Sequence, residues 1–210
     1  MKVTDKITIT NEDNMQLMAR YSDNYFDLAI VDPPYGIERF KKGSLRFDKS
    51  EKAKNGLKWD VKPSEEYFTE LFRVSKNQII WGANYMTEFL EPKASWIIWD
   101  KKQPEDFSMA MAELAWSSFG SPMKIYQKRV VGADDVRVHP TQKPVALYKW
   151  ILDKYAKQGD KILDTHLGSG SIAIACHDYD FELTACELDK EYYEKAIERI
   201  GNHVKQLTLF

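Results

Sequence analysis

The stretch Asp32-Pro33-Pro34-Tyr35 places a carboxylate, two prolines and an aromatic ring directly after the apolar run Phe26 to Val31. The prolines fix φ and remove two backbone N–H donors, so the turn is stiff and its carbonyl groups are free to contact a ligand. A short apolar run that stops at Pro and Gly is typical of a central parallel strand. Ligands of open α/β sheets bind at the carboxyl ends of such strands, so we predict an active site here.

Two further turns have residue types that suit ligand binding. The turn from Asp164 to Ser171 contains Gly168 and Gly170, which allow a ligand to approach the backbone closely, although the third glycine of dinucleotide folds is absent. Glu187 follows the next strand, where an acid often holds a ribose diol. The motif His139-Pro140-Thr141-Gln142-Lys143-Pro144 leads into a helix N-terminus, a location that favours anions.

Asp13 has two interpretations. It follows the alternating strand pattern of Ile7 and Ile9 and precedes residues at helical spacing, so it or Asn14 could simply be a helix N-cap. Alternatively, Asp13 ends a strand next to the Asp32 strand and faces the same crevice.

The elements that must position these residues alternate between strand and helix, which predicts an α/β fold with a mostly parallel sheet and helices on both faces. The length of 210 residues favours one domain. The segment Phe107 to Phe119 is ambiguous between helix and strand, whereas Asn84 to Leu90 is typical of a short helix. The predicted strands lie near Ile7 to Ile9, Phe26 to Val31, Gln78 to Trp81, Ser95 to Trp99, Met123 to Tyr126, Lys161 to Asp164 and Phe181 to Cys186.

Composition excludes several classes of protein. Thirty basic and 32 acidic residues give a net charge of −2, so any nucleic-acid surface must be local. Cys176 and Cys186 lack further ligands nearby, which argues against a disulfide framework or a zinc site, and His166 has no partners for a metal. No apolar run has membrane-spanning length and the N-terminus lacks an apolar signal core, so we expect a cytoplasmic protein without a metal.

Residues 37–62 form a basic stretch with nine Lys or Arg against four acids. Glycine, serine and asparagine interrupt it, which predicts a long mobile loop that is either a solvated face or, because it follows the Asp32 turn, a phosphate contact. The candidate DNA-binding residues are Arg39, Lys41, Lys42, Arg46 and Lys58.

With these motifs assembled, the chain resembles the β-class amino-methyltransferases of DNA, which use S-adenosylmethionine. The resemblance rests on the Asp32 turn, the His139 to Pro144 motif and the Asp164 turn, in the permuted order of that class. It implies the Rossmann-like methyltransferase fold with seven strands, circularly permuted. The family's turn usually reads Asp-Pro-Phe-x-Gly-Ser-Gly, whereas this chain has Thr165 and His166 at the Pro-Phe positions.

The resemblance also assigns roles to residues. Asp32 in place of Ser is closer to adenine-N6 than to cytosine-N4 enzymes, and Asp13 matches an acidic position that precedes the catalytic motif. It implies that Asp32, Pro33, Pro34 and Tyr35 are catalytic. The residues implied for the cofactor are Asp13, Thr141, Gln142, Lys143, Asp164, His166, Leu167, Gly168, Ser169, Gly170, Glu187 and Leu188.

The leading hypothesis is therefore an orphan, phage-type or restriction-modification adenine-N6 DNA methyltransferase acting on double-stranded DNA. The alternatives are a cytosine-N4 or RNA amino-methyltransferase and, in another class, a catalytically silent subunit that binds DNA or a sliding clamp. Fewer than forty residues separate Asp100 from His139, so residues 101–138 leave room only for a small target-recognition or edge region. Either a monomer or a homodimer is compatible with the sequence.

The C-terminal residues 206–210 have an apolar pattern that a solvent-exposed tail would not need. The tail resembles the short Gln-Leu-x-Leu-Phe peptide by which bacterial replication proteins bind the sliding clamp. The alternative is a tail that packs back on the core. The clamp hypothesis involves Gln206, Leu207, Leu209 and Phe210.

Overall fold

A computed structural model describes residues 2–37, 61–104, 106, 110–129 and 142–207. Several predictions concern residues outside these ranges. They are the basic candidates Arg39, Lys41, Lys42, Arg46 and Lys58, the motif residues His139, Pro140 and Thr141, and the tail residues Leu209 and Phe210.

The described strands form one sheet of eight strands, one more than the seven that were predicted. The strands are β1 Ile7–Asn11, β2 Leu28–Val31, β3 Gln78–Trp81, β4 Trp96–Asp100, β5 Ala112–Ser117, β6 Lys124–Gln127, β7 Lys161–Asp164 and β8 Glu182–Glu187. The additional strand is β5, which lies in the segment whose periodicity was ambiguous. Its side chains are buried only toward the end of the strand, so neither a clear alternation nor a helical stripe marks it in the sequence.

The sheet order is β1-β8-β7-β2-β3-β5-β4-β6, and β5 is antiparallel to both of its neighbours while the other pairs are parallel. The prediction of a mostly parallel sheet is therefore confirmed. The expectation that the strand before Asp13 lies next to the Asp32 strand is wrong, because β1 pairs with β8 and two strands separate it from β2. Local periodicity identifies a strand but not its neighbour.

Helices cover both faces of the sheet. The described helices are α1 Asn14–Met18, α2 Glu65–Val74, α3 Val145–Tyr155, α4 Ser171–Asp178 and α5 Lys190–Leu207. Side chains of α3, α4 and α5 share one buried cluster with the sheet, and those of α1 and α2 share the other. The alternation of strand side chains between the two faces fills both clusters, for example Ile30 on one face and Val31 on the other.

The helix predicted from Asn84 to Leu90 is instead two single 3-10 turns, Ala83–Tyr85 and Thr87–Phe89. Met86 separates them with φ −136° and ψ 25°, outside the helical region. Its side chain is fully buried, so packing into the core decides the backbone conformation here.

Candidate active site

The Asp32 turn extends from the carboxyl end of β2, a strand in which every residue is buried. The hydroxyl of Tyr35 donates a hydrogen bond to Asp32 Oδ1 at 2.7 Å. The Tyr35 ring also stacks on Tyr85 with centroids 5.4 Å apart and packs on Gly82, where a Cβ would lie 1.9 Å from Tyr35 Cε1. Gly82 has φ +66°, so only glycine satisfies both the backbone and the contact. The Tyr35 ring is therefore fixed from three directions.

Lys143 was predicted to lie near the cofactor, and the structure places its ammonium group on the candidate catalytic carboxylate. Lys143 Nζ donates to Asp32 Oδ2 and lies 3.4 Å from the Tyr35 hydroxyl. Glu113, which sequence analysis missed, forms an ion pair with the same ammonium at 3.1 Å. The only hint in the sequence was an acid inside an apolar segment, where an unpaired charge would be costly.

The turn predicted to bind the cofactor, Asp164 to Ser171, begins at the end of β7 and is named the cofactor turn below. Two carboxylates accept hydrogen bonds from its backbone N–H groups. Asp164 Oδ1 accepts from the N–H of His166 at 3.0 Å, and Glu187 at the end of β8 accepts from the N–H of Gly168 at 2.8 Å. Gly170 has φ +75°, and a Cβ there would lie 2.9 Å from Ile200 Cδ1. The glycine turn therefore packs closely on α5. The opposite side of the turn faces the cavity.

The two carboxyl groups that hold this turn, those of Asp164 and Glu187, have raised pKa values. Burial raises the pKa of Asp164 to about 8, with the charges of Asp32 and Glu187 adding to the effect. Burial likewise raises the pKa of Glu187. A buried carboxyl group with a raised pKa is stabilised as an anion by a cationic or hydroxyl-bearing ligand. These residues therefore suit a ligand that brings an ammonium group and a ribose diol, which are both present in S-adenosylmethionine.

Thr165 and His166, the two departures from the family's turn, take part in a chain of hydrogen bonds. The hydroxyl groups of Tyr67 and Thr165 lie 2.7 Å apart, and Thr165 Oγ1 lies 2.9 Å from His166 Nδ1. His166 Nε2 is 3.0 Å from Asn14 Nδ2. Burial lowers the pKa of His166 to about 3, so the imidazole is neutral at physiological pH. The chain connects the cofactor turn to both α1 and α2.

Asp13 caps a helix, as one interpretation predicted, and it faces the same cavity as Asp32, although its strand is not next to the Asp32 strand. Its Oδ1 accepts from the N–H of Met15 at 2.8 Å and caps α1, and the residue also lines the same cavity as Asp32. A cap that faces a ligand site leaves its second oxygen able to accept a further hydrogen bond.

One cavity of about 710 Å³ joins the two turns. Of the predicted site residues, Asp164 and Gly170 lie behind its wall, and Leu188 lines it with 69% of its surface exposed. Tyr67 and Tyr148 line it too and were not predicted. The predicted residues that line the cavity are Asp13, Asp32, Pro33, Pro34, Tyr35, Gln142, Lys143, His166, Leu167, Gly168, Ser169, Glu187 and Leu188.

No cluster of three or more His, Cys, Asp or Glu side chains in the described ranges is placed to hold a metal ion. None of the described helices combines the length and apolar character required to span a bilayer.

The fold is shared with solved DNA methyltransferases. The M1.HpyAVI complex with S-adenosylmethionine superposes with a TM-score of 0.63 at 19% identity, covering 92% of this chain and 98% of that one. The cytosine-N4-specific PvuII DNA methyltransferase gives 0.66 at 10% identity, covering 97% and 93%. At such identities the likeness shows the fold, which confirms the predicted methyltransferase architecture.

Sequence comparison gives the family. The type II methyltransferase M.HpaI of Haemophilus parainfluenzae is 25% identical over 90% of this chain and 72% of its own length. The family described as DNA methylase matches residues 88–198, which is more than half of the chain. The protein therefore belongs to the DNA methylase family, the S-adenosylmethionine-dependent methyltransferases of DNA amino groups.

Proposed function

We propose that this protein transfers a methyl group from S-adenosylmethionine to the exocyclic N6 amino group of an adenine flipped out of double-stranded DNA. The observation that carries the proposal is the single cavity onto which both the Asp32 turn and the cofactor turn open. The acids of the cofactor turn suit the cationic donor, and the Asp32 turn offers acceptors for an amino group.

The residues of the Asp32 turn activate the amino group. An exocyclic amino nitrogen is a poor nucleophile because its lone pair is delocalised into the ring. Hydrogen bonds from its N–H groups to the Asp32 carboxylate and the Pro33 carbonyl localise that lone pair. Bound S-adenosylmethionine supplies an electrophilic methyl group on a positively charged sulfur. As the nitrogen–carbon bond forms and the carbon–sulfur bond breaks, the nitrogen releases one proton, for which Asp32 is the nearby acceptor.

Tyr35 is suited to stacking on the flipped base. Flipping costs about a few kcal/mol, and stacking on an aromatic ring offsets part of this cost. Since Gly82, Tyr85 and Asp32 fix the ring, little further ordering is needed when a base arrives.

The test is to incubate the protein with labelled S-adenosylmethionine and unmodified DNA and to identify the modified nucleoside. We expect N6-methyladenine. The same acceptors also suit a cytosine amino group, and the support for adenine is the Asp at position 32. N4-methylcytosine as the product would therefore contradict the choice of base. RNA offered as a competing substrate tests the choice of nucleic acid. The absence of any product would favour the silent-subunit alternative.

We further propose that the chain is one catalytic domain in which residues 37–62 bind DNA phosphates and residues 101–138 contribute to target recognition. Ile37 and Val61 both line the cavity, so the basic stretch begins and ends beside the site. Replacing Lys41, Lys42 and Arg46 with glutamine should weaken DNA binding. The slope of log affinity against log salt concentration should become shallower by about 0.9 for each phosphate that is no longer neutralised. An unchanged slope would contradict the proposal.

The tail proposal is that Gln206, Leu207, Leu209 and Phe210 bind a bacterial sliding clamp in the cytoplasm. Its support is the resemblance of the peptide, whose first two residues, Gln206 and Leu207, are the last residues of α5. Deletion of residues 206–210 should abolish clamp capture and leave methylation of a short oligonucleotide unchanged. A loss of thermal stability instead would indicate a packed tail.

Light scattering would distinguish the monomer from the homodimer.

A further inference from the structure

A row of alternating charges leads from the catalytic carboxylate across the sheet. Lys143 contacts Asp32 on one side and Glu113 on the other, at 3.1 Å from Glu113 Oε2. The second oxygen of Glu113 lies 2.6 Å from Lys101 Nζ, just after β4. Glu113 itself is on β5. The row thus contains two ammonium groups and two carboxylates, and Glu113 is the member that contacts both lysines.

The row lies mostly out of solvent. The side chains of Lys101 and Lys143 are 4% and 1% exposed, and that of Glu113 is 19% exposed. Indole rings lie beneath both lysines, Trp99 at 5.2 Å from Lys101 Nζ and Trp81 at 5.1 Å from Lys143 Nζ. Buried charges of this kind persist only when paired. Removal of Glu113 would therefore leave Lys101 without this partner and Lys143 with Asp32 alone.

We propose that Glu113 is a positioning residue for methyl transfer, which holds the Lys143 ammonium group against Asp32 and thereby keeps the acceptor carboxylate oriented. The inference rests on the proposed function, because it assigns Asp32 the acceptor role. Glu113 lines the same cavity, and each of its oxygens contacts a lysine, so its link to Asp32 is the Lys143 ammonium group.

The charge state of Lys143 gives this role a measurable signature. Burial alone would lower the pKa of Lys143, but the carboxylates of Asp32 and Glu113 outweigh it and raise the pKa. Burial also raises the pKa values of Tyr35 and Tyr148, so both phenols stay neutral over the pH range of the profile. The titratable groups around the ammonium are Asp32 and Tyr35 after β2, Glu113 on β5, Tyr148 on α3 and Asp164 at the end of β7.

The experiment compares the pH profile of kcat, at saturating S-adenosylmethionine, for the parent and Glu113→Gln. With one carboxylate removed and burial unchanged, the pKa of Lys143 falls. The alkaline limb of the profile should then move to lower pH by about one unit or more. We also expect kcat at neutral pH to fall about 10- to 100-fold, because a misplaced acceptor group costs rate, while KM for the cofactor changes less than about twofold.

Two further variants make the result decisive. Glu113→Asp retains the charge but is one methylene too short to reach both lysines, so it should fold and show an intermediate kcat with a smaller shift of the limb. Asp178→Asn is the matched control, because Asp178 pairs with Lys149 at 2.7 Å on the helical layer, and its profile should equal the parent's.

The outcomes separate this inference from the proposed function. Glu113→Asp with the parent's kcat and profile would overturn the positioning role, as would a reduced kcat with an unmoved alkaline limb in either variant. If the parent's product is N4-methylcytosine, the proposed base is wrong, yet the same profiles measured on that product still test Glu113. Circular dichroism at each pH confirms that the compared proteins are folded.

Discussion

The two sides of the cavity surround their acids differently. On the acceptor side, Asp32 and Glu113 both contact the Lys143 ammonium group, and the two lysines lower the pKa of Glu113 to about 2 against the opposing effect of burial. On the cofactor side, the described structure shows no salt bridge to Asp164 or Glu187, and burial raises both pKa values. The acids of the acceptor side are thus paired with lysines, whereas the acids of the cofactor side have no such pair among the described residues.

This difference indicates on which side a ligand would supply the positive charge that pairs with the acids. A carboxylate that is already paired is oriented before the substrate arrives, and this orientation is what catalysis of amino-group attack requires. An acid with a raised pKa instead gains its charge when a cationic ligand binds. The comparison therefore predicts that substitutions on the two sides affect different steps.

The largest effect is expected from Asp32→Ala. Without the carboxylate the amino group has no main acceptor, so methyl transfer should fall by about 10³-fold or more. Cofactor affinity, measured by calorimetry, should stay within about twofold because the other side is intact. Near-normal activity would break the assignment of the acceptor side.

Asp164 should make cofactor affinity depend on pH. Asp164 lies behind the cavity wall, from where its negative charge would favour a cationic ligand in the cavity. Since its pKa is about 8, the carboxyl group must lose a proton to carry that charge. Affinity should therefore fall up to about tenfold for each pH unit below 8 and level off above it. Calorimetry across this range measures the effect, and proton uptake by different buffers gives an independent readout.

The matched variant is Asp164→Asn, which should bind more weakly and lose most of the pH dependence. Tight binding by this variant, or an equal slope in both proteins, would show that the cofactor side is not completed by the ligand's charge.

Gly82→Ala should separate the Tyr35 ring from the rest of the acceptor side. The new Cβ would meet the ring at 1.9 Å, so the ring must move, and kcat should fall about 10-fold or more. Gly159→Ala is the control, because Gly159 also has positive φ, at +92°, but its Cβ would meet no atom within 4 Å. Equal reductions of kcat in the two variants would attribute the effect to backbone strain rather than to Tyr35.

The smallest effect concerns the hydrogen-bond chain through His166. His166→Phe retains an aromatic ring but removes the hydrogen bonds to Asn14 and Thr165, and we expect cofactor affinity to fall a few-fold. In a double-mutant cycle with Asn14→Ala, the combined reduction in binding free energy should be smaller than the sum of the single reductions by about 0.5 kcal/mol or more. Strict additivity would show that the two residues do not act together.

Local signals in the sequence predicted most of the residues that line the candidate site. Asp32 and Glu187 follow apolar runs, and proline or glycine marks the turns near them, so both acids could be placed at strand ends before any neighbour was known. Glu113 and the true partner of Lys143 could not, because their contacts join residues far apart in the chain. Lys143 and Asp32 are separated by 111 positions. Likewise, nothing in the alternation of Ile7 and Ile9 shows that β1 pairs with β8.

The pairing of β2 with β7 joins an early part of the chain to a late one. Ala29 lies opposite Leu163, so the Asp32 turn is complete early in translation but lacks its central neighbour until most of the chain has been made. Such late closure is slow and leaves an apolar strand edge unpaired in the nascent chain. A nascent chain that ends before residue 161 would therefore carry the acceptor turn without the glycine turn and Glu187.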